Sequence, residues 1–165
     1  MVDRDRDEQG RARSNRPRDG LGRPRRHGLA GVERVPDDLR LAPLPSLGEA
    51  QRLLDAGRPF HAHEVLEGTW KASPAAERDL WQGLAQLAVG LTHLARGNPT
   101  GAATLLRRSA DRLAPYAGAA PYDVDVSGLQ GFALELADAA DAGEVTAAVP
   151  PPRLRLPQTH DPVGT

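Results

Sequence analysis

From Leu47 onward apolar residues recur at three- and four-residue spacing, and no stretch sustains the strict alternation of a half-buried strand. Ser46-Leu47-Gly48-Glu49 fits a capping box, with Leu47, Ala50, Leu53 and Leu54 on one face and Gly57 as the stop. Pro59 introduces a second helix, from Phe60 to Lys71. Ser73 as N-cap and Pro74 at the first position predict the longest helix, 74–96, ended by Gly97. Asn98-Pro99 repeats that start signal for a fourth helix over 99–113, closed by Pro115. Ser127 opens the last, with Leu129, Phe132, Ala133, Leu136 and Ala140 at helical spacing and Gly143 behind. The expected fold is all-α, a compact bundle of about five helices joined by short loops. Gly97 suits the left-handed residue that ends one helix and Asn98 the cap of the next, both structural roles. Trp70 and Trp81 read as packing residues.

The flanks lack this pattern. Residues 1–36 hold few large apolar side chains, Leu21, Leu29 and three Val, and cannot bury enough surface to offset ordering entropy. They are expected to form a disordered Arg-rich tail. Pro150-Pro151-Pro152 suggests a second disordered, Pro-rich tail over 146–165. Between them, 37–145 is expected to be the helical domain. Charge follows the same division: residues 1–28 carry nine Arg against five acids, and the remainder 12 basic residues against 17 acids, so the net charge of −1 averages two unlike parts. The acids interleaved with the Arg, and the lack of aromatic rings among them, limit any nucleic-acid contact to weak electrostatic association. There is no Cys, hence no disulfide, thiolate site or cysteine nucleophile. No apolar run is long enough to span a bilayer, and Met1 to Glu8 has no signal-peptide core. A cytoplasmic setting is expected, and paired helix faces leave a homodimer open.

Candidate chemistry lies on the second helix. With His63 at 0° on a helical wheel, Leu66 falls near −60°, Trp70 near −20°, Glu67 near +40° and Phe60 near +60°. His63 and Glu67 thus sit in an apolar arc, with Glu64 at its edge and His61 opposite. An ionisable pair in such an arc needs a partner. Three are open: a divalent metal, for which His nitrogen and Glu oxygen at i, i+4 are suitable ligands; a protein hydrogen-bond network; or a small molecule. A metal needs further ligands, which His93 or the Asp123-Val124-Asp125 loop could supply. His63-Glu64-Val65-Leu66-Glu67 is similar to the H-E-x-x-H helix of zinc proteases, with Glu67 in place of the second His.

On the long helix Asp79, Gln82, Gln86 and His93 form a polar seam flanked by Gly83 and Gly90. The seam is either a solvated face or a surface turned to the second helix. The glycines suggest a close neighbouring backbone or ring. The acids of a di-iron bundle are missing. Nucleophile elbows and phosphate-binding Gly-rich loops are missing as well.

The run Phe60-x-Ala62-His63-Glu64-Val65-Leu66-Glu67-x-x-Trp70, followed by Gln82-Gly83-Leu84-x-Gln86 and His93-Leu94-x-Arg96-Gly97-Asn98, resembles the family called domain of unknown function 309 over about residues 46–130. The resemblance implies a small all-helical protein of bacteria or archaea, in a family sometimes labelled predicted metal-dependent hydrolase. The matching positions are His63, Glu64, Glu67, Trp70, Gln82, Gln86, His93 and Asn98. Two functions follow as expectations. One is a binding or structural module in which His63 and Glu67 are partnered by protein. The other is a divalent-metal hydrolase with His63, Glu67 and His93 as ligands and Glu64 as the base that activates water.

Overall fold

A computed structural model describes residues 41–145 and 149–157. The Arg-rich 1–36 segment lies outside the described residues. Five α-helices follow in order: α1 (Pro43–Asp55), α2 (Pro59–Ala72), α3 (Arg78–Ala95), α4 (Pro99–Leu113) and α5 (Val126–Asp141). Each packs on the next in sequence. The all-α expectation holds, and no strand is present among the described residues. No described helix is long and apolar enough to cross a membrane.

Three helix starts differ from expectation. α1 begins at Pro43 with Ala42 as N-cap, so Ser46 is an interior residue and the capping box does not form. The first-turn prolines are tolerated because their missing N–H groups would have no helical acceptor there. Ser46 is fully buried, and its hydroxyl meets that of Thr69 on α2 at 2.5 Å, a polar link inside the core. Ser73 ends α2 instead of starting α3: its backbone is extended and its hydroxyl donates to the Thr69 carbonyl at 2.6 Å. A 3-10 turn (Ala75–Glu77) then leads into α3. For α5 the cap is Asp125, whose carboxylate accepts from Gly128 N at 3.1 Å, and not Ser127. The α3–α4 junction is as expected. Gly97 has φ +78°, the Asn98 amide donates back to the His93 carbonyl at 2.8 Å, and Asn98 Oδ1 accepts from Gly101 N at 3.0 Å.

α3 forms the centre of the core. Leu80, Trp81, Leu84 and Leu87 are all at most 1% exposed. Against α4 it presents Gly83 and Gly90. A Cβ at Gly83 would lie 2.9 Å from Leu113 Cδ2, and one at Gly90 2.9 Å from Leu106 Cδ2. The nearest neighbours are leucines of α4 and not a ring, and the expected close backbone is met at Gly90, where the Ala102 carbonyl oxygen lies 3.6 Å from the same Cβ position. That pairing, Gly83 with Leu113 and Gly90 with Leu106, makes the two helices antiparallel. At the same contact the buried Ser109 hydroxyl donates to the Gly83 carbonyl at 2.7 Å.

The Pro-rich segment departs most from expectation. Residues 149–157, read from sequence as part of a disordered tail, lie against the domain. Leu154 is 1% exposed within the core cluster. An isolated antiparallel bridge joins Arg155 to Val124. One buried leucine, with backbone bonds on either side, orders a stretch whose composition alone suggests no structure. Residues 146–148 and 158–165 lie outside the described residues.

Gly90→Ala is expected to destabilise the fold by about 1–2 kcal/mol in urea denaturation. Overpacking against Leu106, about 1–3 kcal/mol, outweighs the helix-propensity gain of about 1 kcal/mol.

Candidate functional site

α2 starts with Pro59 in its first turn and ends where Ser73 turns extended before Pro74. Its buried residues are Pro59, His61, Ala62, Val65, Leu66, Gly68 and Thr69. The wheel centred on Phe60, His63 and Trp70 is thus displaced from the true inner face. The small and β-branched residues Ala62, Val65 and Thr69 let α2 sit close to α1 and α3, whereas the large rings lie on the margin, partly exposed. His61, placed opposite the apolar arc by sequence, is 0% exposed. His63 is a flank residue, its side chain 22% exposed, with Glu67 at 35%.

On that flank His63 Nε2 lies 3.0 Å from Glu67 Oε2, and the other carboxylate oxygen, Oε1, lies 3.1 Å from Lys71 Nζ. The three residues form a chain at i, i+4 and i+8 along one helix edge. Burial holds the His63 imidazole below its usual titration range, against the opposing pull of the Glu67 carboxylate and the Phe60 carbonyl. A neutral ring facing a carboxylate through Nε2 carries its proton there, which leaves Nδ1 as the lone-pair nitrogen. Nδ1 is buried without a hydrogen-bond partner. The Phe60 ring stands 5.6 Å from that of His63, and the Arg96 guanidinium lies over Phe60 at 5.5 Å, linking the start of α2 to the end of α3.

The other sequence candidates do not join this pair in a ligand set. His93 Nδ1 lies 3.0 Å from Asn98 Nδ2, beside the α4 cap. Glu64 is half-buried on α2. Asp123 pairs with Arg155 at 3.3 Å, and Asp125 is occupied as the α5 cap. Among the described residues no group of three or more His, Cys, Asp or Glu could hold a metal ion. His63 and Glu67 face each other, whereas His93 meets Asn98, and the three do not form such a group.

The polar seam does not face α2 along its length. At the start of α3, Arg112 of α4 donates to Asp79 at 2.9 Å and to Gln82 at 2.7 Å. Gln86 Oε1 is buried without a hydrogen-bond partner. Trp81 is wholly buried and packs against Tyr122 at 5.9 Å between ring centroids, while Trp70 packs partly buried against the core. Sequence reasoning missed buried His61, which follows Phe60 in the first turn with no apolar spacing to mark it. It also missed the Ser46–Thr69 link, since a serine near a helix start reads as a cap.

These features define a small helical-bundle domain with a partnered His–Glu pair at its edge. Residues 47–105 match the model of the family described as Domain of unknown function (DUF309). The resemblance read from the motifs is thus shown for that stretch, which contains α2, α3 and every motif residue from His63 to Asn98. The "Uncharacterized protein YpuF" of Bacillus subtilis (strain 168) is 45% identical over 51 residues, covering 30% of this chain and 29% of that protein. No solved structure matches the chain.

The lowered His63 titration sets the sign of a pH effect. Its contribution to stability is full above the usual His value of 6.5 and is lost as pH falls through the folded-state value, because the unfolded chain takes up the proton first. Denaturant midpoints of the wild-type chain should therefore fall below that pH, and His63→Gln should flatten this part of the decline. Parallel pH profiles of the two chains would contradict the assignment.

Proposed function

We infer that the domain is a helical binding or structural module, in which His63 and Glu67 complete the edge of α2 instead of supplying a reaction centre. The observation that carries this reading is the occupation of both Glu67 oxygens by donors of its own helix, His63 at 3.0 Å and Lys71 at 3.1 Å. A metal bound by Glu67 would have to displace one of them. It would also lack a third His, Cys, Asp or Glu ligand among the described residues. The lowered titration range of His63 fits the same reading, since a neutral imidazole donating to a carboxylate is stable on a half-dry helix flank.

The alternative, a divalent-metal hydrolase using His63 and Glu67 with Glu64 as base, rests on the label attached to the family and on the ligand types at i, i+4. Elemental analysis separates the two. The module reading expects purified, untagged protein to carry no stoichiometric metal and to keep its thermal midpoint after chelation. About one divalent ion per chain, with a midpoint that drops on chelation, would establish the alternative. Glu67→Gln is expected to destabilise folding by about 0.5–1.5 kcal/mol in urea, the scale of a half-exposed charge-assisted hydrogen bond.

A further inference from the structure

We propose that the cleft between the C-terminal half of α1 and the 120–125 turn is a binding site for an extended peptide of the Pro-Arg-Leu-Arg kind, which the chain fills with its own residues 152–155 and can release. This inference stands apart from the reading of the α2 pair and uses none of its residues.

The contacts of this segment are those of peptide recognition. The Gln51 side chain of α1 clamps the backbone from one side, with Nε2 donating to the Pro152 carbonyl at 3.0 Å and Oε1 accepting from Leu154 N at 2.9 Å. The turn before α5 binds it from the other side. Asp125 N donates to the Leu154 carbonyl at 2.9 Å, and Leu156 N donates to the Asp123 carbonyl at 2.8 Å. Backbone pairing of this type gives affinity without regard to side chain, and the alternating side chains then supply selectivity. Pro152 and Leu154 are buried, while Arg153 and Arg155 point to acids at the rims, Asp55 at 3.2 Å and Asp123 at 3.3 Å. Arg155 Nε also donates to the Tyr122 carbonyl at 3.0 Å.

The segment is also built to separate from the bundle. It enters no helix, and its hold on the core is confined to Leu154 in the buried cluster, the buried Pro152 beside it and a partly buried Val149. The turn it rests on holds Ala120, Tyr122 and Asp123 at φ +40°, +54° and +60°, a left-handed backbone that non-glycine residues keep only when their surroundings impose it. Tyr122 and Asp123 each accept a hydrogen bond from the segment. Departure of the segment frees this turn to relax, so occupancy of the cleft and the shape of the turn are coupled.

The test uses the full chain and a fluorescein-labelled peptide with the sequence of residues 149–157. In the wild-type chain the tethered segment outcompetes the free peptide, because tethering gives an effective concentration on the order of millimolar. Leu154→Asp places a carboxylate in the apolar seat and vacates it. This variant is expected to bind the peptide saturably by fluorescence anisotropy, about tenfold or more tightly than wild type, and adding Gln51→Ala is expected to abolish binding. A Leu154→Asp chain with wild-type helical circular dichroism that binds no peptide overturns the proposal, as does binding indifferent to Gln51→Ala. Amide exchange in the unaltered chain gives a second reading that does not depend on how the variant folds. The Leu154, Leu156 and Asp125 amides should exchange about tenfold or more faster than those of Leu84 and Leu87 in α3, and equal rates overturn the proposal.

Discussion

The close approach of α3 and α4 at Gly83 and Gly90 sets the geometry on which the remaining packing depends. A chain with 4% aromatic residues must fill its core largely with Leu and Ala, and such side chains reach across only a short interhelical gap. The two glycines remove the Cβ atoms that would hold the helices apart, and Leu113 and Leu106 occupy the space. The Ser109 hydroxyl reaches the Gly83 carbonyl at the same contact, possible only where the backbones are near. α3 also packs against α2, whose buried residues include Ala62, Val65 and Leu66. The rings of Phe60 and Trp70 are left at the margin.

That displacement explains the chemistry at the edge. In the middle of the inner face, an imidazole and a carboxylate would require a metal or an elaborate network to offset desolvation. On the flank, His63 keeps enough solvent contact for a hydrogen bond to Glu67, which Lys71 supports, to suffice. Burial still suppresses the charged form of the ring. The deeply buried polar positions among the described residues go instead to Ser46 and Thr69, which pair with each other, to Thr92 and Ser109, which donate to helix carbonyls, and to His61.

Helix number, order and most of the stops were legible from apolar spacing together with Gly and Pro. The Gly97–Asn98 junction was legible in detail, because the left-handed C′ residue and the Asx cap are local devices that need no tertiary information. Starts were less legible: Ser46 and Ser73 carry a capping chemistry that each spends elsewhere, one in an interhelical hydroxyl pair and the other on a carbonyl of the preceding turn. The α2 wheel placed Leu66 correctly but gave the rest of the inner face to Phe60 and Trp70 on ring size, whereas His61, Ala62, Val65 and Thr69 complete the buried side. The order of residues 149–157 was invisible for a different reason. It depends on one leucine, on the Gln51 side chain about a hundred residues away and on the backbone of Asp123 and Asp125, which no local pattern encodes. The His63–Glu67 spacing itself was correctly read, but spacing alone could not tell which way the helix was turned.

His63 and Glu67 are coupled through their own hydrogen bond. A double-mutant cycle of His63→Gln and Glu67→Gln, followed by urea denaturation with and without a chelator, measures that coupling directly. The expected result is a favourable interaction of about 0.5–1 kcal/mol that the chelator leaves unchanged. A coupling that vanishes on chelation, or no coupling in either condition, would contradict it.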